Sequence, residues 1–260
     1  MEIKGSVVIV TGASAGIGRA TAVSLTQAGA NVVITARREA QLHELAAELA
    51  GAPGRTLVLA GDIQEEAFTR EMVACTVAEF GRVDVLINNA GLGHRSLLSE
   101  MPLADMQTIW DTNVMGLMAA TQAAVTQMKL QGGGQIINVS SIVGQRPLPD
   151  SGVYCASKTA VNFLSRTLRM ELKPDNIIVT LIYPGVTATE FSSAKLGRQG
   201  RNRFGVKGIP PQRVAQAIVK AIRYGRTEVY VTWYDWLFVH FNRLFPRTID
   251  WITGLAAHRR

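Results

Sequence analysis

At 260 residues, with 47% hydrophobic and 18% charged residues, the chain is long enough to bury a large core and too apolar for intrinsic disorder. Its net charge of +7 raises nucleic acid, acidic membranes and anionic ligands as partners. No nucleic-acid motif accompanies the basic residues, so nucleic acid is set aside. Two cysteines, Cys75 and Cys155, and no Cys/His cluster argue against a disulfide framework and a metal site. With no leader-like stretch before the first apolar run, the expected location is the cytoplasm.

That first run, Val7-Val8-Ile9-Val10, predicts a strand over 6–11. It leads into Thr11-Gly12-Ala13-Ser14-Ala15-Gly16-Ile17-Gly18, and a helix is predicted over 16–29. In a strand–turn–helix of this kind Gly12 permits the tight turn, Gly16 lets backbone approach a pyrophosphate, and Gly18 lets the helix pack close to the sheet. The helix N-terminus offers unpaired N–H groups to the anion, so Ser14, Ala15 and Ile17 join the candidate cofactor site.

Further apolar runs predict strands over 31–36, 56–60, 83–88, 134–140, 176–183 and 228–232. Between them, helices are expected over about 38–50, 64–80, 103–130, 153–173 and 210–224. Alternating strands and helices predict an α/β fold, doubly wound, with a parallel sheet of about seven strands and helices on both faces. Runs such as Val32-Val33-Ile34-Thr35 fit strands buried on both sides.

The second strand ends Ala36-Arg37-Arg38. An acid there would bind a ribose 2′-hydroxyl, whereas arginine accommodates a 2′-phosphate, and guanidinium forks suit phosphate. Arg37, with Arg38 beside it and Ser14 as an added donor, therefore points to NADP(H) rather than NAD(H). In Asn88-Asn89-Ala90-Gly91 the small residues Ala90 and Gly91 allow backbone close to a ribose, and Asn89 is placed to brace adjoining strands. Asp62 doubles as a candidate helix cap. Asn113 is a poor residue for the interior of a predicted helix.

Tyr154 and Lys158 lie four residues apart on a predicted helix, hence on one face, and Ser141 precedes Tyr154 at the end of the fifth strand. A free tyrosine has a pKa of about 10. A nearby ammonium is expected to lower it and bring the phenol closer to working range as a general acid/base.

Taken together, TGASAGIG, Asn88-Asn89-Ala90-Gly91, Asn113, Ser141, Tyr154-x-x-x-Lys158 and Pro184-Gly185 occur in an order and at spacings that resemble the short-chain dehydrogenases/reductases over about residues 5–232. The resemblance implies a Rossmann-type catalytic domain over 1–232, including a substrate lid at about 188–209, followed by an aromatic and basic extension over 233–260. It implies that Asp62 accepts from the adenine amino group and Ile63 packs on the ring, and that Asn113 kinks its helix and holds a water leading to Lys158. Ser141 would hold the substrate oxygen, Tyr154 would act as acid/base, and Lys158 would hold the nicotinamide ribose. Pro184, Gly185 and Thr189 would contact the nicotinamide end, with Thr187 standing where Ile or Val is usual. The implied reaction is reversible reduction of a small-molecule ketone or aldehyde to an alcohol, with a non-catalytic dinucleotide sensor on the same fold as the alternative.

Three questions stay open from the sequence. His94 is either a substrate contact or a loop residue. The basic lid, with Lys195, Arg198, Arg201, Arg203 and Lys207, either attracts an anionic substrate or is a solvated loop. The tail from Trp233 to Phe245 is too short and polar to span a bilayer. It packs on the protein or on a partner subunit of a homodimer or homotetramer, lies on a membrane surface through about 233–256, or closes the pocket.

Overall fold

The structure, a computed structural model, describes residues 1–192, 195–197 and 207–258. In chain order, β1 (Val7–Thr11), α1 (Gly16–Gln27), β2 (Asn31–Ala36), α2 (Glu39–Glu48), β3 (Thr56–Ala60), α3 (Glu66–Phe80) and β4 (Val85–Asn88) form the first half. A two-residue strand β5 (His94–Arg95) and helices α4 (Leu103–Trp110) and α5 (Leu117–Leu130) lead to β6 (Gly134–Val139), α6 (Gly152–Glu171) and β7 (Ile177–Tyr183). A second short strand, β8 (Leu196–Gly197), precedes α7 (Pro211–Tyr224), β9 (Glu228–Tyr230) and two tail helices, α8 (Trp233–Leu244) and α9 (Pro246–His258).

Seven strands make one parallel sheet in the order β3-β2-β1-β4-β6-β7-β9, as the alternating pattern predicts. Alternate residues of each strand feed opposite layers. Val8, Val10, Val32, Ile34 and Ile87 pack with Leu25 of α1, Leu42 of α2 and Ile218 of α7. Ile9, Val33, Leu86 and Ile136 pack with Met72 of α3 and Ala124 and Met128 of α5. The strand order reverses between β1 and β4, which opens a crevice at their carboxyl ends, where ligands of such sheets bind.

The helix expected over 103–130 is present over that span, but it includes a π-helical turn, Asp111–Gly116, between α4 and α5. Asn113 sits in it at 1% exposure, and Gly116 approaches the loop between β3 and α3 so closely that a Cβ there would lie 2.8 Å from the Ile63 carbonyl oxygen. π-turns of this kind are common at functional sites.

The β5–β8 pair was not legible in the sequence, each strand being only two residues. It is parallel, with His94 opposite Leu196 and Arg95 opposite Gly197. The ends of the segment 188–209 are tied by backbone bonds from the Ala188 amide to the Ile209 carbonyl and from the Ile209 amide to the Val186 carbonyl. Arg198, Arg201 and Arg203 fall outside the described residues.

The tail packs on the rest of the chain with its polar face. Thr232 caps α8, accepting from the Asp235 amide at 3.2 Å, and Asp235 is buried against Gly185, where a Cβ would lie 2.3 Å from its carboxylate. Arg146, 5% exposed, donates to Asn242 of α8 at 2.9 Å and to Asp250 of α9 at 2.6 Å. Pro246 opens α9, its missing N–H costing nothing at a first helical turn. The opposite face leaves Trp233, Trp236, Phe241 and Trp251 exposed. No described helix is long and apolar enough to cross a membrane.

Candidate active site

The crevice is a cavity of about 600 Å3. At one end are the glycine turn and the β2 terminus; along it run Asp62, Ile63 and Asn89 to Gly91; Ser141, Tyr154 and Lys158 line it with Pro184, Gly185, Thr187 and Thr189. Every candidate site residue therefore lines it except Gly18, Asn113 and His94. Among the described residues, none of α8 or α9 lines it.

Gly12 has φ +67, and a Cβ on it would sit 2.8 Å from the Ala90 Cα. Gly16, φ +57, faces Thr189, whose side chain would meet a Cβ at 3.1 Å. Ala15 precedes α1 without a side-chain cap, so the first amides of α1 lack an oxygen of their own chain's making there. Asn89 donates to the carbonyls of Thr11 at 2.9 Å and Gly12 at 3.2 Å, and the Thr11 hydroxyl accepts from the Asn89 and Ala90 amides. These bonds tie the end of β1 to the end of β4.

At the β2 end, Arg37, Arg38 and Ser14 are the residues expected around one 2′-phosphate. The structure joins Ser14 to Arg38, which donates to its hydroxyl at 3.1 and 3.2 Å and also pairs with Glu190 at 3.2 Å. Arg37 turns to Asp62, 3.5 Å away. Asp62 accepts from the Gln64 amide at 3.0 Å, an Asx-type turn, and does not cap α3, which begins at Glu66.

Tyr154 and Lys158 lie one turn apart on α6. The Lys158 ammonium donates to the Val139 carbonyl at 2.9 Å and lies 5.9 Å from the Tyr154 ring centroid. Burial lowers Lys158 to about 8. Tyr154 is half-buried in the cavity wall. Burial therefore pushes the phenol well above its ordinary value, the neighbouring Cys155 thiol adds to this, and a hydrogen bond with Ser141 opposes it. This differs from the expected lowering of the tyrosine: burial is the largest influence on the phenol, and Lys158 is not among the groups that shift it. The neutral phenol is thus the stable form near pH 7, which suits a proton donor.

Ser141 follows β6, its hydroxyl donating to the Pro184 carbonyl at 3.3 Å and accepting from the Val143 amide at 3.3 Å. Ser140 bonds Asn162 at 2.6 Å and supports the strand end. Asn113 is no surface residue: it accepts from the Leu92 amide at 2.7 Å and donates to the Leu92 carbonyl and the Ser157 hydroxyl at 2.9 Å each. It thereby clamps the loop after β4 to α6, one residue before Lys158.

His94 does not reach the cavity. It is buried in β5, 3.1 Å from the Asp105 carboxylate and 3.2 Å from the Ser96 hydroxyl. Its neighbour Arg95 lines the cavity instead, with Phe191, whose ring packs 5.5 Å from that of Tyr154. Both lie in segments, 92–95 and about 188–209, from which selectivity is expected, and tertiary contact decides which of their side chains reach the cavity.

A family profile described as short chain dehydrogenase matches residues 6–199. The 3-oxoacyl-[acyl-carrier-protein] reductase of Thermotoga maritima is 34% identical over 84% of this chain and 91% of its own. The structure of a Burkholderia phymatum short chain dehydrogenase/reductase in complex with NAD has a TM-score of 0.87, covering 95% of this chain and 96% of that one at 24% identity, a likeness of fold. An alcohol dehydrogenase from Thermococcus sibiricus complexed with 5-hydroxy-NADP has a TM-score of 0.77 and 27% identity, covering 86% and 95%.

Proposed function

The chain belongs to the short-chain dehydrogenase family of oxidoreductases, and on that footing we propose that it reversibly reduces a ketone or aldehyde to an alcohol with NADP(H) as its cofactor. The observation that carries this reading is a single cavity holding both the glycine turn and the Ser141, Tyr154 and Lys158 side chains. The cofactor fits the residues present. The Gly12 and Gly16 turn is too tight for a Cβ, and the uncapped start of α1 suits a pyrophosphate.

Bound NADPH would supply the hydride. Tyr154 protonates the substrate oxygen as negative charge develops on it, and Ser141 hydrogen-bonds that oxygen and orients it. Lys158 would hold the nicotinamide ribose and return a proton to Tyr154, and Asn113 positions the loop and helix on which this depends. Proximity of the reacting groups provides much of the remaining acceleration. A dinucleotide sensor would need no proton donor, so a complete Ser141, Tyr154 and Lys158 set favours catalysis.

Arg38 with Ser14, and Arg37 beside them, support the choice of NADP(H). Arg37→Gln/Arg38→Gln is expected to weaken NADPH binding about 10- to 100-fold, the size of a lost charge-assisted contact, with NADH binding little affected. Fluorescence titration with each cofactor measures this. Equal affinity of the native protein for NADH and NADPH would remove the NADP preference and leave the oxidoreductase reading standing.

We also infer assembly as a homodimer or homotetramer. Support comes from exposed Trp110, Met115, Phe163 and Met170 on α4, the π-turn and α6, and from the aromatic face of α8. Light scattering is expected to give two or four times the chain mass, and a monomer would refute it. Co-sedimentation with anionic vesicles of the full chain, but not of a chain ending at Val231, would instead assign the α8 face to a membrane surface.

A further inference from the structure

The Pro184–Gly185 peptide is held from both of its edges. On one edge the Pro184 carbonyl accepts from the Ser141 hydroxyl at 3.3 Å and from the Ile142 amide at 3.1 Å. On the other stands Asp235, in the first turn of α8. Its carboxylate lies so close over Gly185 that a Cβ there would meet the two oxygens at 2.3 and 2.8 Å. Gly185 has no left-handed φ, so this carboxylate, and not backbone strain, is what excludes a side chain.

An aspartate at 5% exposure is costly, because burial disfavours its charged form. Helix capping does not account for it. Thr232 already caps α8 by accepting from the Asp235 amide, and its hydroxyl donates to the Asp235 carboxylate at 2.5 Å. Burial raises the carboxyl above its ordinary value, while the Thr232 hydroxyl, the Gly185 amide and the charge of Arg213 favour the ionised form. The carboxylate thus serves as acceptor for the Gly185 N–H, and Thr232 sets its angle.

A peptide unit is planar and resists twisting, so its N–H and C=O cannot reorient separately. Fixing the Gly185 amide fixes the Pro184 carbonyl, and with it the hydroxyl of Ser141. Polarisation along a chain of hydrogen bonds works in the same direction. Gly185 and Ser141 line the cavity and no described residue of α8 does, so Asp235 reaches the site through this peptide.

We propose that Asp235 is a positioning residue: by holding the Gly185 amide it sets the Pro184 carbonyl and thereby the Ser141 hydroxyl. The catalytic part of this inference rests on the reductase reading above, which places Ser141 on the substrate oxygen. The C-terminal extension is then part of the working site without lining the cavity.

Amide hydrogen exchange in the full chain saturated with NADP+ tests the linkage without turnover. Asp235→Ala is expected to speed exchange at Gly185 and at Ile142 by at least about tenfold, the scale of one lost hydrogen bond. The Ala13 amide, bonded to the Thr35 carbonyl, is expected to keep its native rate. Asp235→Asn retains an acceptor oxygen and is expected to restore most of the protection. Native-like protection in Asp235→Ala, acceleration at Gly185 without Ile142, a matching loss at Ala13, or no rescue by asparagine overturns the proposal. With ethyl acetoacetate and benzaldehyde as probes, Asp235→Ala is expected to lower kcat about tenfold at unchanged NADPH affinity. That loss is expected to vanish when Ser141→Ala is already present, since residues acting in series are not additive. An undiminished loss in the Ser141→Ala background also overturns the proposal. Should the native chain reduce neither probe, it is the reductase reading that fails, and exchange at Gly185 and Ile142 still decides whether Asp235 holds the peptide.

Discussion

Tyr154→Phe is expected to lower the rate of carbonyl reduction by roughly 100- to 10,000-fold, the span of a lost general acid, while NADPH binds as before. The change removes one hydroxyl and keeps the ring that packs on Phe191 at 5.5 Å, so the fold has no reason to respond. Stopped-flow NADPH absorbance measures the rate, and fluorescence measures binding. Turnover at the native rate would sink the assignment of the proton donor. The pH profile carries a second signature. Tyr154 is held above its ordinary value and stays protonated, so reduction does not await it in the neutral range. Lys158, lowered to about 8, is charged below that pH and neutral above it. Reduction is therefore expected to be flat in mild acid and to fall as pH rises through about 8. Alcohol oxidation, which needs the phenolate, is expected to rise with pH. A reduction rate that increases above pH 8 would contradict the role given to Lys158.

Gly18→Ala is expected to destabilise the protein and weaken NADPH binding together. Helix propensity alone argues the other way, since alanine in a helix is favoured over glycine by about 1 kcal/mol. Packing decides the sign. A Cβ on Gly18 would lie 2.3 Å from the Gly12 carbonyl oxygen and 2.5 Å from the Asn89 amide nitrogen, so α1 must move off β1. Overpacking typically costs about 1–3 kcal/mol, and here one of the two neighbours is backbone that cannot rotate away. For a chain of this size each kcal/mol lowers Tm by about 2–4 °C. Gly51→Ala is the control: its φ is +88 but nothing lies within 4 Å of its Cβ position. Strain at Gly51 costs stability on the order of 1 kcal/mol and leaves the cofactor site intact. Differential scanning calorimetry and NADPH titration read both effects. Undiminished NADPH affinity in Gly18→Ala would refute the contact between the turn and the cofactor.

The parallel sheet was legible because its strands are apolar on both faces and its helices carry a 3.6-residue period. α7 is the clearest case, burying Val214, Ile218, Ala221 and Ile222 between Pro211 and Gly225. The glycine turn and the Tyr154–Lys158 pair were legible because their spacings are local. The π-turn at Asn113 was visible only as a residue unsuited to a helix. The two short strands had no periodicity to read.

The tail shows the same division more sharply. Its aromatic content marks it in the sequence as unusual, but not which face turns inward. In the structure Asp235, Val239 and Asn242 are buried and the large aromatic residues mostly are not. Arg146 and Gly185 supply polar partners for one face, and a helix buries whichever face finds hydrogen bonds as well as contact. Among the described residues, then, the tail supports the loops around the cavity without entering it.

By itself the sequence determined the chain order of strands and helices, because each depends on neighbours within one turn or one strand, and the resemblance carried by its motifs marked the residues that the fold gathers in the crevice. Tertiary structure alone decided which arginine meets Ser14, that burial raises Tyr154, and that Arg95 rather than His94 faces the cavity. Those outcomes depend on water exclusion and on contacts between segments far apart in the chain, and neither is written in local spacing.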